Sequence, residues 1–373
     1  MKNEPLFEIF LQATPGLEVV LRDEAVEAGF RKPKATAGGV RFRGRWSDVW
    51  RANLVLRGAS RVLVRIAAFQ AMHLTQLEKL ASELPWNRYL RADVPVRVEV
   101  TTRRSKIYHA GAARERVERA LGSRGLALSE DAAVSVRVRI EENQCVFSLD
   151  TSGELLHKRG YKEAVAKAPM RETLAALFLR AAGFDGAEPV LDPMCGSGTF
   201  VIEAAEMAAG LAPGRARSFA FEHLATFDAD AWAEIQAELE TKTVSNKGKT
   251  RFIGSDRNAG AIDAARANAA RAGVLEQTNF DVRSVGDLER PEGPAGLVIV
   301  NPPYGARIGD KRGLFALHSA LGQRLKEHFQ GWRVGIVTTE ESLARATGLP
   351  FEPPGPPVAH GGLKVRLYQT KPL

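Results

Sequence analysis

From Ala168 onward the chain repeats one pattern, an apolar strand, a short loop and an amphipathic helix, and this pattern leaves few folds open. After the helical stretch APMRETLAALFLRAAG come PVLDPMCGSGTFVIEAAEMAA (strand, Gly-rich turn, helix) and TRFIGSDRNAGAIDAARANAARAG (strand, acid, helix). FDVRSVGDL follows, then GLVIVNPPYG, a buried strand running into a proline loop, and a helix near Gly313–Phe329. WRVGIVTT and GGLKVRLYQT read as the last strands. Strands alternating with helices predict an α/β fold with a doubly wound, mostly parallel sheet. Ligands of such sheets sit beyond the carboxyl ends of the strands, where every suggestive loop of this chain lies. An insert between Ala209 and Lys249, beginning GLAPGRARSFAFEH, has no role readable from its residues.

Three of these loops carry chemistry. In LDPMCGSGTF, at 191–200, a strand ends at Asp192 and the chain turns through Cys195, Gly196, Ser197 and Gly198 into a helix starting near Thr199. Glycines let bare backbone approach a ligand, and the helix start offers unpaired N–H donors. The full G-x-G-x-x-G spacing of dinucleotide sites is absent, and an acid before the glycines suits an ammonium better than a pyrophosphate. Cys195 is a nucleophile or a small residue filling the turn; no His/Asp partner pattern supports the first. In GSDRN, at 254–258, Asp256 ends the next strand, placed either to accept from two ribose hydroxyls or to cap the helix that follows. In NPPYG, at 301–305, two prolines fix the backbone and remove donors. The Asn301 side-chain oxygen and the Pro302 carbonyl can then both accept from one –NH₂ group, with Tyr304 as a flat stacking face. That arrangement suits attack of an exocyclic nitrogen on an electrophilic methyl, driven by positioning and charge stabilisation; the alternative is a rigid structural turn.

The first third reads as small α+β units. Strands are expected over Phe7–Ala13, Gly39–Arg43, Arg61–Phe69 and Val94–Thr101, with a hairpin of Val134–Ile140 and Gln144–Leu149. Helices are expected over GLEVVLRDEAVEAGF, over SDVWRANLVL with Ser47 or Asp48 as its cap, and near Ala112–Leu121. Charge is placed unevenly. Residues 1–160 hold 27 Lys+Arg against 19 Asp+Glu, whereas residues 161–373 hold 25 of each, so the net +8 of the chain resides in its first part. Such a module either grips a polyanion or is a solvated surface. RVLVRI and VSVRVRI put arginines opposite valines, which predicts a basic sheet face for RNA. The hinge HKRGYK (His157, Lys158, Arg159, Tyr161 and Lys162) offers cations and an aromatic ring for phosphate and base, or is a charged linker. Two cysteines make neither a disulfide framework nor a four-cysteine zinc site. No run reaches the roughly 18 apolar residues of a membrane span, and the N-terminus has no signal-peptide core. A cytoplasmic protein without metal or membrane partner is expected.

The motifs SGELLHKRGY, APMRETLA, LDPMCGSGTFVIEAA, APGRARSFAFE and NPPYGARIG closely resemble the THUMP-domain class I RNA guanine methyltransferases. Among these they look most like the bacterial large-subunit ribosomal RNA enzymes. The resemblance implies a ferredoxin-like segment over 1–50, a THUMP RNA-binding domain over 51–155 and an S-adenosylmethionine-dependent methyltransferase domain over 156–373. It implies transfer to the 2-amino group of guanine, at a single type of position. Asp192, Cys195, Gly196, Gly198 and Thr199 would line the methionine end of the cofactor, with Asp256 on the ribose. Ser284, or Asp287 three residues on, would read the adenine amine. Asn301, which also borders the cofactor, Pro302 and Tyr304 would hold the guanine, and Lys158, Arg159 and Tyr161 would touch RNA. Ribosomal RNA is the expected partner. Transfer RNA, DNA adenine and protein glutamine are the rival acceptors, and an RNA-binding assembly factor is the rival without catalysis.

Overall fold

The computed structural model describes residues 6–163, 170–242, 252–303 and 311–373. It divides into two compact units. One comprises Met1–Ala13, Leu21–Leu156 and Arg217–Leu239; the other comprises Thr14–Val20, His157–Ala216 and Glu240–Leu373.

The first unit is built on one seven-stranded sheet. Its strands are β1 (Phe7–Gln12), β2 (Lys34–Thr36), β3 (Gly39–Gly44), β4 (Arg61–Gln70), β5 (Val96–Arg103), β6 (Val134–Glu141) and β7 (Gln144–Asp150). They run in the order β2-β3-β1-β4-β7-β6-β5, so the sheet crosses the expected 50/51 boundary. All pairings are antiparallel except β5 with β6. The β6–β7 hairpin closes through Glu142 and Asn143, both with positive φ, as a two-residue turn matching the twist of the strands requires. Val62, Val64, Val136, Val138 and Leu149 bury one side of the alternation. The arginines on the other side are not bare. Arg61 and Arg137 share the fully buried Asp150, Arg137 also pairs with Glu99, Arg65 with Glu8, and Arg139 with Glu141. The basic RNA platform expected on these strands is therefore largely neutralised, by carboxylates that sit beside it only after folding.

Two further local expectations change. The helix Trp46–Val55 is capped at Arg45, and Asp48 acts from inside its first turn, accepting from the Arg45 N–H at 2.9 Å. The insert also finds its place. Phe221 packs against Trp50 at 6.2 Å between ring centroids and against Trp232 at 5.1 Å, so its 217–239 part completes the core of the first unit.

The second unit holds β8 (Val190–Asp192), β9 (Phe252–Asp256), β10 (Thr278–Val282), β11 (Leu297–Val300), β12 (Arg333–Thr338), β13 (Val358–His360) and β14 (Leu363–Gln369). The order is β10-β9-β8-β11-β12-β14-β13; the first five are parallel, and β14 pairs antiparallel with β12 and β13. The doubly wound, mostly parallel sheet is thus realised. β8 and β11 are buried along their whole length, which is why they read as unbroken apolar runs. The chain winds outward from β8 through β9 to β10, then returns to the other side of β8 as β11. That reversal opens a crevice at the carboxyl ends of β8 and β11. Among the described residues no helix is long and apolar enough to cross a membrane.

Candidate active site

Asp192 closes β8. It is buried, and its Oδ1 accepts from the Met194 N–H at 3.1 Å. Its Oδ2 takes no hydrogen bond among the described residues. Burial drives the carboxyl up to about 8, reinforced by the charge of Asp256 and only partly offset by the Met194 N–H. A carboxyl in that state is one a cation would ionise on arrival.

The Gly-rich turn is tied to the end of β9. The Cys195 N–H donates to the Ser255 carbonyl at 2.9 Å, and the Gly196 N–H donates to Asp256 Oδ2 at 3.0 Å. Gly196 has φ +52° and nothing within 4 Å of where a side chain would stand, so its backbone faces open space. Gly198 has φ +85°, and an added Cβ there would lie 3.1 Å from Ala265 and from the Phe280 ring. One glycine exposes the backbone; the other permits packing. Cys195 is buried, and its thiol is pushed well up by burial, then by Asp192 and Asp256, so it stays protonated and fills the turn. Thr199 opens the helix, and its hydroxyl accepts from Lys162 Nζ at 2.8 Å.

Asp256 uses one oxygen on the Gly196 N–H and the other on the Asn258 N–H, at 3.0 Å each. The helix after it is capped instead by Asn258, whose side chain accepts from the Ala261 N–H at 3.3 Å. Asp256 is therefore not the cap, and each oxygen keeps a further lone pair. Beyond β10 the exposed Ser284 donates to Asp287 Oδ2 at 2.7 Å, which makes the two candidates for the adenine contact one hydrogen-bonded pair.

Asn301 follows β11, whose Leu297 and Val298 stand opposite Val190 and Leu191 of β8. Continued, that register brings Asn301 level with Met194, one strand from the Gly-rich turn. Its Oδ1 is buried and has no hydrogen-bond partner among the described residues. A buried acceptor left unmet costs roughly 1–3 kcal/mol, and a ligand N–H would recover it. Pro302 is buried beside it. Tyr304 lies outside the described residues.

The hinge behaves differently from the sequence reading. Lys158 is exposed, but Arg159 and Tyr161 are only 3% and 4% exposed, so neither side chain faces RNA. Arg159 instead meets Glu203 at 3.5 Å inside the second unit. Lys162, half-buried, reaches Glu172 at 3.2 Å, the Met170 carbonyl at 2.9 Å and Thr199. Burial pulls Lys162 down and pushes Glu172 up, each partly held by the other's charge. This pair props the start of the Gly-rich helix. Sequence reasoning gave Lys162 only a place in the hinge and Glu172 none; the one available signal was a lysine and an acid on opposite sides of a single short segment.

The residues present fit S-adenosylmethionine: an exposed Gly196 backbone, a buried acid, an acid with spare lone pairs at the next strand end, and across the crevice an acceptor with no partner among the described residues. A family model described as RMKL-like, methyltransferase domain, matches residues 159–350. A second, the RlmL ferredoxin-like domain, matches residues 8–63. The chain is 37% identical over 340 residues to the ribosomal RNA large subunit methyltransferase K/L of Aliivibrio fischeri, covering 88% of this chain and 48% of that protein. It spans about half the length of the curated relatives it matches. Among solved structures, a Listeria monocytogenes chain named as a predicted N6-adenine-specific DNA methylase aligns with a TM-score of 0.88 at 29% identity, over 99% of this chain and 97% of that one. SMU.472, a methyltransferase structure holding SAH, aligns at 0.87 and 25% identity, over 99% of each. With its strand-end acids, Gly-rich turn and NPP loop all inside the matched span, the chain belongs to the RMKL-like methyltransferase-domain family.

Proposed function

We propose that this chain transfers a methyl group from S-adenosylmethionine to the exocyclic 2-amino group of a guanine in large-subunit ribosomal RNA. The observation that carries this reading is the buried Oδ1 of Asn301 at the carboxyl edge of β11, which has no hydrogen-bond partner among the described residues. The name of the Aliivibrio relative supports the RNA, and the SAH in SMU.472 supports the cofactor.

The cofactor supplies an electrophilic methyl on a sulfonium centre. Asp192 takes its ammonium group, Gly196 lets it lie against bare backbone, and Thr199 holds the helix start beside it. Asp256 accepts from the ribose hydroxyls through its remaining lone pairs, and the Ser284–Asp287 pair reads the adenine amine. Asn301 Oδ1 and the Pro302 carbonyl accept the two hydrogens of the guanine amine, which aims its nitrogen lone pair at the methyl. Tyr304, outside the described residues, is the ring proposed to stack on the base. Displacement would be direct and in line: the new N–C bond would form as the S–C bond breaks, S-adenosylhomocysteine would leave, and the methylated amine would give up one proton to solvent, with the buried Cys195 thiol taking no part. The guanine must leave its stack to enter the crevice, and Lys158 is the exposed hinge residue on the side of the RNA phosphates.

The other reading with an observation behind it is transfer to adenine N6 in DNA, on the name of the Listeria chain. Incubating the protein with methyl-labelled S-adenosylmethionine and either large-subunit RNA or duplex DNA separates the two. Label on guanine N2 in the RNA is expected; label on DNA adenine alone overturns the assignment.

A further inference from the structure

The net positive charge of the chain does not rest on the sheet face where the sequence predicts it, because those arginines are paired with carboxylates. It gathers instead at the β2–β3 edge of the first unit. A cleft of about 530 Å³ there is lined by Arg31, Lys32, Lys34, Arg41, Arg43 and Arg45. Two acids share the lining, and both are engaged: Glu8 by Arg65, and Asp48 by the Arg45 N–H. Arg31, Lys32, Lys34 and Arg41 are exposed and make no ion pair or side-chain hydrogen bond among the described residues. Arg43 is steadied at the rim by donating to the Leu6 carbonyl at 2.7 Å.

Two features show that stability does not explain this arrangement. Lys34 and Arg41 stand directly opposite each other across β2 and β3, a like-charge pair that works against the sheet. Lys32 adopts φ +50°, a left-handed conformation unfavourable for a lysine. The first cost is offset if a polyanion occupies the cleft, since its phosphates would screen the Lys34–Arg41 repulsion. Arg41 and Arg43 lie on one face of β3, two residues and hence about 7 Å apart, so the cations form a spaced row. A row suits a polymer of phosphates better than one small anion.

We infer that this cleft is an RNA-backbone site, remote in sequence from the methyl-transfer motifs, which grips phosphates of the substrate strand. The partner's identity as RNA rests on the proposed function; the cleft and its charge do not. The test uses the full chain and its K34Q/R41Q double variant, titrated with a large-subunit RNA fragment by fluorescence anisotropy at 0.05–0.3 M salt. Each lost phosphate contact should lower affinity roughly five- to eightfold at 0.1 M salt and reduce the slope of log K against log salt by about 0.7–0.9. S-adenosylmethionine affinity should not move. Thermal stability should hold or rise as the repulsion is relieved, whereas a structural role would lower it. RNA affinity and salt slope equal to wild type overturn the inference. So does a wild-type chain that binds no RNA, or binding of phosphatidylserine vesicles that the double variant loses while its RNA affinity stands. An RNA affinity that falls as stated in a chain transferring no methyl group upholds the cleft and overturns the enzymatic reading alone.

Discussion

Asp192 concentrates the chemistry of the proposed cofactor site at one residue. Its carboxyl is held near 8 in the fold against an ordinary value near 4. Between those limits the folded chain binds more protons than the unfolded one, so stability falls as pH climbs from about 4 to about 8. A cofactor ammonium beside it favours the carboxylate and expels that proton. Affinity for S-adenosylmethionine should therefore rise with pH between 5.5 and 7.5, by up to about tenfold per unit. Calorimetry in buffers of different ionisation heat should show about one proton released per cofactor bound at pH 6.5, and none in Asp192→Asn. A flat pH profile in the native chain would remove Asp192 from the ammonium. At the same scale, the roles of Arg159 and Tyr161 were not legible from the sequence. The carboxylate that meets Arg159 stands 44 residues away, and nothing in HKRGYK shows which of its cations turns inward.

At the scale of elements, the Gly-rich turn works because two glycines solve different problems. Gly198→Ala would put a side chain at φ +85° and against Ala265 and Phe280, which should cost about 1–3 kcal/mol. Urea denaturation should show that loss, whereas Gly196→Ala, strained but unobstructed, should cost less in stability and more in cofactor affinity. The strands and helices themselves were largely readable, since a period of two or of 3.6 is a local property. β8 and β11 announced themselves as apolar runs ending in Asp192 and Asn301. Caps were less readable. Ser47 or Asp48 was expected as the cap, but the helix begins at Trp46 because the Arg45 N–H donates back to the Asp48 carboxylate.

For the molecule as a whole, what escaped the sequence was which distant segments assemble together. The insert had no role readable from its residues, and its 217–239 part belongs to the first unit through aromatic contacts with Trp50. Phe221→Ala should then destabilise the first unit by about 3–5 kcal/mol, because the ring is fully buried among Trp50, Phe219, Phe227 and Trp232. Four of the five tryptophans, at 46, 50, 86 and 232, lie in that unit, so their fluorescence reports its unfolding. A shift of less than 1 kcal/mol would contradict the packing role. Charge was misplaced by the same limitation: composition revealed the excess, but only pairing across strands shows where it stays uncompensated.

Methyl transfer by this chain depends on the acceptor at Asn301, and one comparison tests that dependence most directly. Labelled methyl transfer to large-subunit RNA should fall at least 100-fold in Asn301→Ala, equivalent to about 3 kcal/mol of lost transition-state stabilisation, while calorimetric affinity for S-adenosylmethionine stays within a few-fold of the native chain. Turnover retained in the variant, with the cofactor bound as before, would contradict it.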